Sequence, residues 1–330
     1  MTSELNISVA LTSCNGAKFL PAQLHSILDQ SIRPREIIIC DDCSSDATGT
    51  IAADYAKKYP GIIQFHVNPQ RLGATKNFER AFELTTGEYI FLCDQDDVWL
   101  PNKVAAMLES CRNRPSVDGV FSDSRIVDAN LHSIGNSNCD THLKLRGFNP
   151  DYLAEIQGDN DKFIAQFLKR VPPAGHDMML KAGTKKYLLP FPDLPNSYDT
   201  WIGLALAARN KWAFTPQTLT LFRQHGANLS NSGQAANWRT KLEAARNSIC
   251  SNTFEWNCQM YDFLLQRLGE TLPEQRRKIL MERRNYSACR AAMNTTFFRR
   301  LPLICQALNR RWYRRFGRGW QNLIQDLLLR

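Results

Sequence analysis

The sequence predicts an α/β protein, with a mostly parallel sheet flanked by helices and a helical C-terminal region. Three observations carry this reading. Four short runs rich in Ile, Val, Leu and Phe, at residues 6–12, 36–41, 62–67 and 88–93, alternate with segments of helical period. Strands alternating with helices of that length imply right-handed β-α-β crossovers, hence parallel strands covered on both faces. Each of the first, second and fourth runs ends in a cluster of polar or acidic residues, and the last third of the chain keeps helical spacing.

In chain order, the first run ends in Thr12-Ser13-Cys14-Asn15-Gly16, after which Phe19, Leu20, Leu24, Ile27 and Leu28 recur at helical spacing. The second closes on Asp41-Asp42, and Ser44, Ser45 and Asp46 offer capping oxygens to a helix marked by Ile51, Ala52 and Tyr55. A third helix, carrying Phe78, Ala81 and Phe82, follows the third run. The fourth run leads into Asp94-Gln95-Asp96-Asp97-Val98-Trp99, and Pro101 with Lys103, Val104, Ala105, Met107 and Leu108 starts a helix at once. Beyond residue 115 the pattern loosens, with a fifth strand expected over 119–122 and a later one over 213–223.

Residues 226–237 contain no charge and few large apolar groups, which reads as a flexible loop or hinge. After it Trp238, Leu242, Ala245 and Ile249, then Met260, Leu264 and Leu268, keep helical spacing, and Thr271, Pro273 and Glu274 signal a further helix. The chain is therefore expected to divide into residues 1–225, the loop 226–237, and a helical, basic region 238–330.

At 330 residues and 43% hydrophobic content, a disordered or fibrous protein is excluded. No run approaches the roughly 20 apolar residues that span a bilayer, and no opening segment resembles a secretory signal, so a cytoplasmic protein is expected. The ten cysteines are scattered and read as free thiols. Cys40-Asp41-Asp42-Cys43 leaves a redox or zinc alternative, which the two aspartates oppose because reactive thiolates need an electropositive setting. The charge is uneven. Residues 283–330 hold eleven Arg, no Lys and one acid, Asp326, so this segment carries +10 of a net +9 and residues 1–282 sum to −1.

Ligands of parallel sheets bind beyond the carboxyl ends of the strands, and three carboxylates crowded at such an end suit a divalent metal. An acidic N-cap is the alternative, and it needs only one of them.

The stretches ISVALTSCNGAKFLPAQLHSIL, EIIICDDCSSDAT and RLGATKNFERAFELTTGEYIFLCDQDDVWLPNK resemble the nucleotide-sugar domain of the family 2 inverting glycosyltransferases, which have the GT-A fold. The likeness runs in unbroken order over residues 5–115. It implies a Rossmann-like GT-A catalytic domain over 1–225, with a nucleotide-sugar part at 5–115 and an acceptor part at 116–225. It further implies that Thr12, Asn15 and Asp42 bind the nucleotide, with Thr12 and Asp42 on the base. Asp96 would hold Mg²⁺ or Mn²⁺ on the diphosphate, and Asp94 would face the ribose or the water shell of the metal. Arg71, Gly73, Lys76 and Asn77 would meet phosphate or sugar, with a solvated face as the alternative for Arg71 and Lys76.

Tyr198-Asp199-Thr200-Trp201 stands where the family often shows His-Asp-x-Trp, which makes Asp199 the expected general base, with Asp177 of Gly175-His176-Asp177 as the fallback. Leu221-Phe222-Arg223-Gln224-His225 resembles the Tyr-Arg-Gln-His element of the family, so His225 would be a metal ligand or diphosphate donor and Arg223 a phosphate contact. The other five histidines read as structural. Two departures stand out: Cys14 where the family has Tyr, and Tyr198 in place of His.

The resemblance implies sugar transfer from a nucleotide sugar to a saccharide acceptor, commonly lipid-linked, in bacterial surface polysaccharide synthesis. The DQDDVW form is similar to that of rhamnosyltransferases, so dTDP-L-rhamnose is the leading donor and a UDP-hexose the next. In the tail Leu308, Trp312, Phe316, Trp320, Ile324 and Leu327 recur every three or four residues among arginines. Such a stripe suits the anionic inner face of a cell membrane, with a helix packed on the protein and solvated arginines as the alternative. Two other functions stay open. A non-catalytic nucleotide-sugar sensor keeps the binding turn but lacks a base. A nucleic-acid-binding protein is not expected, because bare carboxylates would repel a phosphate backbone.

Overall fold

The structure is a computed structural model that describes residues 5–134, 139–225 and 253–328. Contacts group the chain into two units, one of residues 1–160 with 172–232 and one of 161–171 with 233–330. Residues 161–171 thus leave the contiguous segment 1–225 expected from the sequence. The expected loop 226–237 and the helical spacing of 238–249 lie outside the described residues.

The first unit is built on an eight-stranded sheet of β1 (Ile7–Ser13), β2 (Glu36–Asp41), β3 (Ile63–Val67), β4 (Tyr89–Asp94), β5 (Val98–Trp99), β6 (Gly119–Val127), β7 (Met178–Lys181) and β8 (Trp212–Arg223). The strand order is β3-β2-β1-β4-β7-β6-β8-β5. The four strands expected first are all parallel to one another. Beyond β4 the sheet is mixed: β7 runs antiparallel to β4 and β6, β8 parallel to β6, and β5 antiparallel to β8. The sequence reading missed β5 and β7, which are too short to display either an alternation or a distinct apolar run. It stopped β6 five residues early, because Asp123, Ser124 and Arg125 break the apolar run although Asp123 and Ser124 are buried.

The helices of this part are α1 (Leu20–Leu28), α2 (Thr48–Lys58), α3 (Gly73–Leu84), α4 (Lys103–Arg112), α5 (His142–Leu145), α6 (Pro150–Ile156), α7 (Asn160–Lys169), α8 (Lys185–Leu188) and α9 (Tyr198–Ala208), with α7 grouped in the second unit from Asp161 onward. Every residue of β1 and β2 is buried. Ile7, Val9 and Leu11 share one core with Leu24 and Ile27 of α1, Phe91 and Trp99. Each fully buried side chain of this kind contributes roughly 1.5–3 kcal/mol. A one-residue slip of β1 would exchange them for Ser8, Ala10 and Thr12, so burial fixes the register. That register sets Thr12 between Cys40 and Asp94, and hence sets the functional edge.

The second unit adds α10 (Thr253–Leu268), α11 (Glu274–Ala292), α12 (Phe297–Asn309), α13 (Trp312–Phe316) and α14 (Trp320–Leu328). Met260, Leu264 and Leu268 are buried as their spacing predicts. Arg283 Nε donates to the Leu168 carbonyl at 2.6 Å and Arg276 pairs with Asp161 at 3.7 Å, tying 161–171 to α11. The single amphipathic stripe expected in the tail does not form. Arg311 takes a left-handed conformation (φ 56°) and Gly319 another (φ 61°), which splits the segment into three helices. Trp312, Tyr313 and Phe316 are buried around Tyr286, with ring centroids 6.2, 6.0 and 6.0 Å away. These side chains make the core of the unit and are not a free face.

Candidate active site

Because β1, β2 and β4 are parallel neighbours, Ser13, Asp41 and Asp94 end on one edge. Since β7 runs antiparallel to β4 with Phe91 opposite Met179, the turn Gly175–Asp177 that precedes it reaches the same edge. The parallel pair β6 and β8 adds Ser122, Ser124, Thr220 and Arg223.

Backbone and side-chain ties then shape the edge. Gln95 is paired with Cys14 as a strand would be, its Oε1 accepting from Cys14 N at 2.8 Å and its Nε2 donating to Cys14 O at 3.0 Å. Asp41 accepts from the Ser13 hydroxyl at 2.8 Å and from Ser44 N at 2.8 Å. Asp42 accepts from Asn68 Nδ2 at 2.9 Å, Leu72 N at 2.6 Å and Gly73 N at 2.9 Å, which holds the loop before α3 against β2. Gly73 has φ +78°, a conformation in which a side chain would be strained.

In the acidic turn, Asp94 is partly exposed, and Asp96 meets His225, Oδ2 to Nε2, at 2.9 Å. Asp97 is buried. Its Oδ1 accepts from Arg223 N at 3.0 Å, and its Oδ2 has no hydrogen-bond partner. Burial raises the Asp97 pKa to about 8, helped by Asp96 and Asp94 and opposed by His176. Arg223 clamps the turn from behind, donating from Nε to Asp96 O at 2.7 Å and from Nη1 to Ala129 O at 2.6 Å, with its guanidinium 4.7 Å from the Phe19 ring centre.

His176 is the buried centre of this edge. It stacks on Phe222 at 4.8 Å with 8° between the planes. Its Nδ1 lies 3.6 Å from Asp94 and 3.7 Å from Asp97, and its Nε2 lies 3.2 Å from Asp177. Burial opposes charge on this ring, yet Asp177 and Asp97 outweigh it and hold the pKa well above the ordinary imidazole value. Asp177 also accepts from Ser124 at 2.9 Å and Thr220 at 3.1 Å, and its pKa is lowered although burial opposes this, chiefly by His176. The fully buried Lys103 donates to His176 O at 2.6 Å and Thr220 Oγ1 at 2.7 Å, and lies 4.5 Å from the Trp99 ring centre.

Removing one member of such a buried charge set leaves the rest uncompensated, which typically costs about 3–5 kcal/mol. Lys103→Met is therefore expected to lower unfolding stability by that order in urea titration. A loss below about 1 kcal/mol would mean that the lysine is not a needed counter-charge.

Asp199 sits in the first turn of α9, accepting from Thr200 N at 2.6 Å. Burial raises its pKa, while Arg146 opposes the rise. Tyr198 beside it stacks on Phe78 at 4.0 Å, and its hydroxyl fills the space over Gly175, where a Cβ would come within 2.1 Å. Burial, then Asp94, Asp199 and Asp97, push the Tyr198 pKa well up.

The expected site residues fall into two groups. Thr12, Asp42, Asp94, Asp96, Arg223 and His225 gather at the edge, and Asp199 follows Tyr198, which covers Gly175. Asn15, Lys76 and Asn77 direct polar groups to neighbouring protein atoms in this structure. Asn15 Oδ1 accepts from Ser45 N at 2.8 Å. Lys76 Nζ bonds Glu79 at 2.9 Å and Phe191 O at 3.1 Å. Asn77 is buried, donating to Cys40 O at 3.0 Å and accepting from Asn68 at 2.9 Å. Asp177, the fallback base, is buried in the His176 network.

Sequence pattern does not point to Gln95, Lys103 or His176 as site builders, whereas Asp97 is one of the three carboxylates expected at a metal turn. His and Asp directly before the apolar Met178-Met179-Leu180 were the signal for a further strand edge. Cys40 and Cys43 are free, and burial pushes the Cys40 thiol up to about 11, which opposes thiolate chemistry at Cys40.

Among the described residues, Asp94, Asp97 and His176 can bring one ligand atom each within 4.8 Å of the others, as can His142, His176 and Asp177. The orphaned Asp97 oxygen and the mutual repulsion of the acids fit a divalent cation at this turn, and the oxygen-rich donor set suits Mg²⁺ or Mn²⁺.

Residues 8–156 match the model of glycosyl transferase family 2, so the likeness read from the motifs is found independently. The putative teichuronic acid biosynthesis glycosyltransferase TuaG of Bacillus subtilis is 34% identical over 108 residues, 33% of this chain and 42% of that protein. The dTDP-rhamnosyl transferase RfbG of Shigella flexneri is 35% identical over 98 residues, 28% of this chain and 34% of that protein. The chain spans about two-fifths or less of the length of the curated relatives it matches. Among solved structures, the mannosyltransferase PcManGT from Pyrobaculum calidifontis in complex with GDP-Man and Mn²⁺ superposes with TM-score 0.52 at 15% identity, covering 99% of this chain and 86% of that one. The fold is that of the GT-A glycosyltransferases.

Proposed function

We propose that this chain is a metal-dependent, inverting glycosyltransferase that moves a sugar from a nucleotide-sugar donor to a saccharide acceptor, lipid-linked in the cell, in surface polysaccharide synthesis. One observation supports the reading: the acidic turn Asp94–Asp97, closed by Arg223 and His225, shares an edge with Thr12 and Asp42, and Asp199 follows Tyr198, whose hydroxyl covers Gly175 next to His176 of that edge. A nucleotide needs the first set and an acceptor hydroxyl needs the second.

In this reading Thr12 and the remaining acceptor capacity of Asp42 orient the base. Asp96 and His225, with Asp94 beside them, would hold Mg²⁺ or Mn²⁺, which when bound neutralises charge on the leaving diphosphate. Asp97, whose Oδ2 lacks a hydrogen-bond partner, and His176 lie next to Asp94 and would complete the surroundings of the ion. Asp199 takes the proton of the acceptor hydroxyl as that oxygen attacks the anomeric carbon from the face opposite the diphosphate. One carboxylate is enough for such inversion, because the leaving group needs charge neutralisation rather than an acid. The DQDDVW turn and the name of the Shigella relative support dTDP-L-rhamnose as first donor and a UDP-hexose as second.

A base that burial holds above the ordinary carboxylate range is protonated, and idle, over a wider acid range. The acid limb of the pH profile of kcat is thus expected above the range of an exposed aspartate. Arg146→Gln removes the opposing cation and should move that limb to still higher pH. An unmoved limb would detach Asp199 from the rate. The reading as a whole is tested by assaying sugar transfer from dTDP-, UDP- and GDP-sugars with Mn²⁺. Binding without transfer or donor hydrolysis would favour the sensor alternative.

A further inference from the structure

The second unit uses part of the tail charge internally. Arg290 pairs with the buried Asp326 at 2.6 Å, Tyr313 donates to the same carboxylate at 2.8 Å, and Arg300 donates to the Asp326 carbonyl at 3.2 Å. The one acid of residues 283–330 is therefore sequestered. Arg299, Arg310, Arg311, Arg314 and Arg318 stand exposed. The same helices leave large apolar side chains in water: Phe298 at 81% and Trp320 at 69%, with Phe297, Leu308 and Ile324 exposed as well.

Phe297 and Phe298 touch edge to face at 5.7 Å in the first turn of α12. Arg300 lies 5.9 Å from the Phe297 ring and bonds Asp326, which brings that turn beside the C-terminal end of α14. Trp320 and Ile324 lie one turn apart on α14 and so share a side of it. The exposed set differs from the stripe expected from sequence, whose Trp312 and Phe316 are in the core.

We propose that this aromatic and arginine-rich surface of α12 to α14 docks the protein on an anionic lipid bilayer. Aromatic and aliphatic side chains enter the boundary between headgroups and acyl chains, while guanidinium groups meet lipid phosphates above it. Among the described residues no helix is long and apolar enough to cross a membrane, so this contact is with the bilayer surface. A second copy is the poorer occupant, because an isologous contact would set this positive face against itself. Single-stranded nucleic acid could stack on Phe297, Phe298 and Trp320 but leaves Leu308 and Ile324 unused, since these offer no π-face, whereas a bilayer takes up both kinds of side chain. The inference does not rest on sugar transfer.

The test is co-sedimentation of the full chain with phosphatidylcholine vesicles, with and without phosphatidylglycerol, at low and high salt. Wild type should sediment only with phosphatidylglycerol vesicles and weaken as salt screens the arginines. Phe298→Ser with Trp320→Ser should lower vesicle affinity roughly tenfold or more at both salts, and Arg299→Gln with Arg314→Gln should do so mainly at low salt. All four positions are exposed, and melting curves verify that the variants fold. No sedimentation of wild type, or equal sedimentation of folded variants, overturns the proposal. So does tighter binding to single-stranded nucleic acid than to vesicles, or a wild-type dimer that the Phe298 and Trp320 exchange converts to monomer.

Discussion

Exchange of Asp199 for Asn is expected to slow sugar transfer by about 10²–10⁴-fold while leaving nucleotide-sugar affinity close to wild type. Asn keeps the size of the side chain and can still accept from Thr200 N, so local structure survives, but it cannot take a proton. The loss therefore falls on kcat and not on donor binding. Asp177→Asn serves as the contrast. That carboxylate lies in a network with His176, Ser124 and Thr220, so its loss should appear first as lowered stability. If Asp177→Asn folds normally and abolishes transfer while Asp199→Asn transfers at wild-type rate, the base has been assigned to the wrong residue.

The second large effect concerns the metal. Asp96→Ala is expected to weaken Mn²⁺-dependent nucleotide-sugar binding by roughly 100-fold, at the top of the range seen when only an outer partner of a metal ligand is lost. Asp94→Asn should weaken it less, and metal-independent nucleotide binding should change little in either variant. Titration calorimetry with and without Mn²⁺ measures both. Undiminished Mn²⁺ dependence in Asp96→Ala, with loss in His176→Gln, would move the ion from the Asp96–His225 pair to the buried group of Asp94, Asp97 and His176.

Much of this edge was legible because it is built from local pattern. The apolar runs before Thr12, Asp41 and Asp94 are buried on both faces, so they stand out in sequence, and parallel pairing aligns their polar ends without further information. What stayed hidden depends on distant partners. Met178–Lys181 is only four residues long, and nothing local says that it will lie against β4 and deliver His176 to Asp94 and Asp97. Lys76 and Asn77 are residue types that suit phosphate, but Glu79, Phe191, Cys40 and Asn68 occupy their polar groups. In the tail, helical spacing was real but the chain turns at Arg311 and Gly319, so the same periodicity feeds a core instead of a surface.

A nucleotide-sugar site completed by a divalent cation at the Asp94–Asp97 turn should reveal itself in thermal stability. The most direct measurement is the melting temperature of the full chain against dTDP-, UDP- and GDP-sugars, each with and without Mn²⁺, in wild type and Asp96→Ala. A ligand that binds only the folded state must raise it. At least one nucleotide sugar should stabilise wild type in the presence of Mn²⁺, the shift should shrink without metal, and Asp96→Ala should lose the metal-dependent part. Absence of any shift in wild type with every donor at saturating concentration would contradict that site.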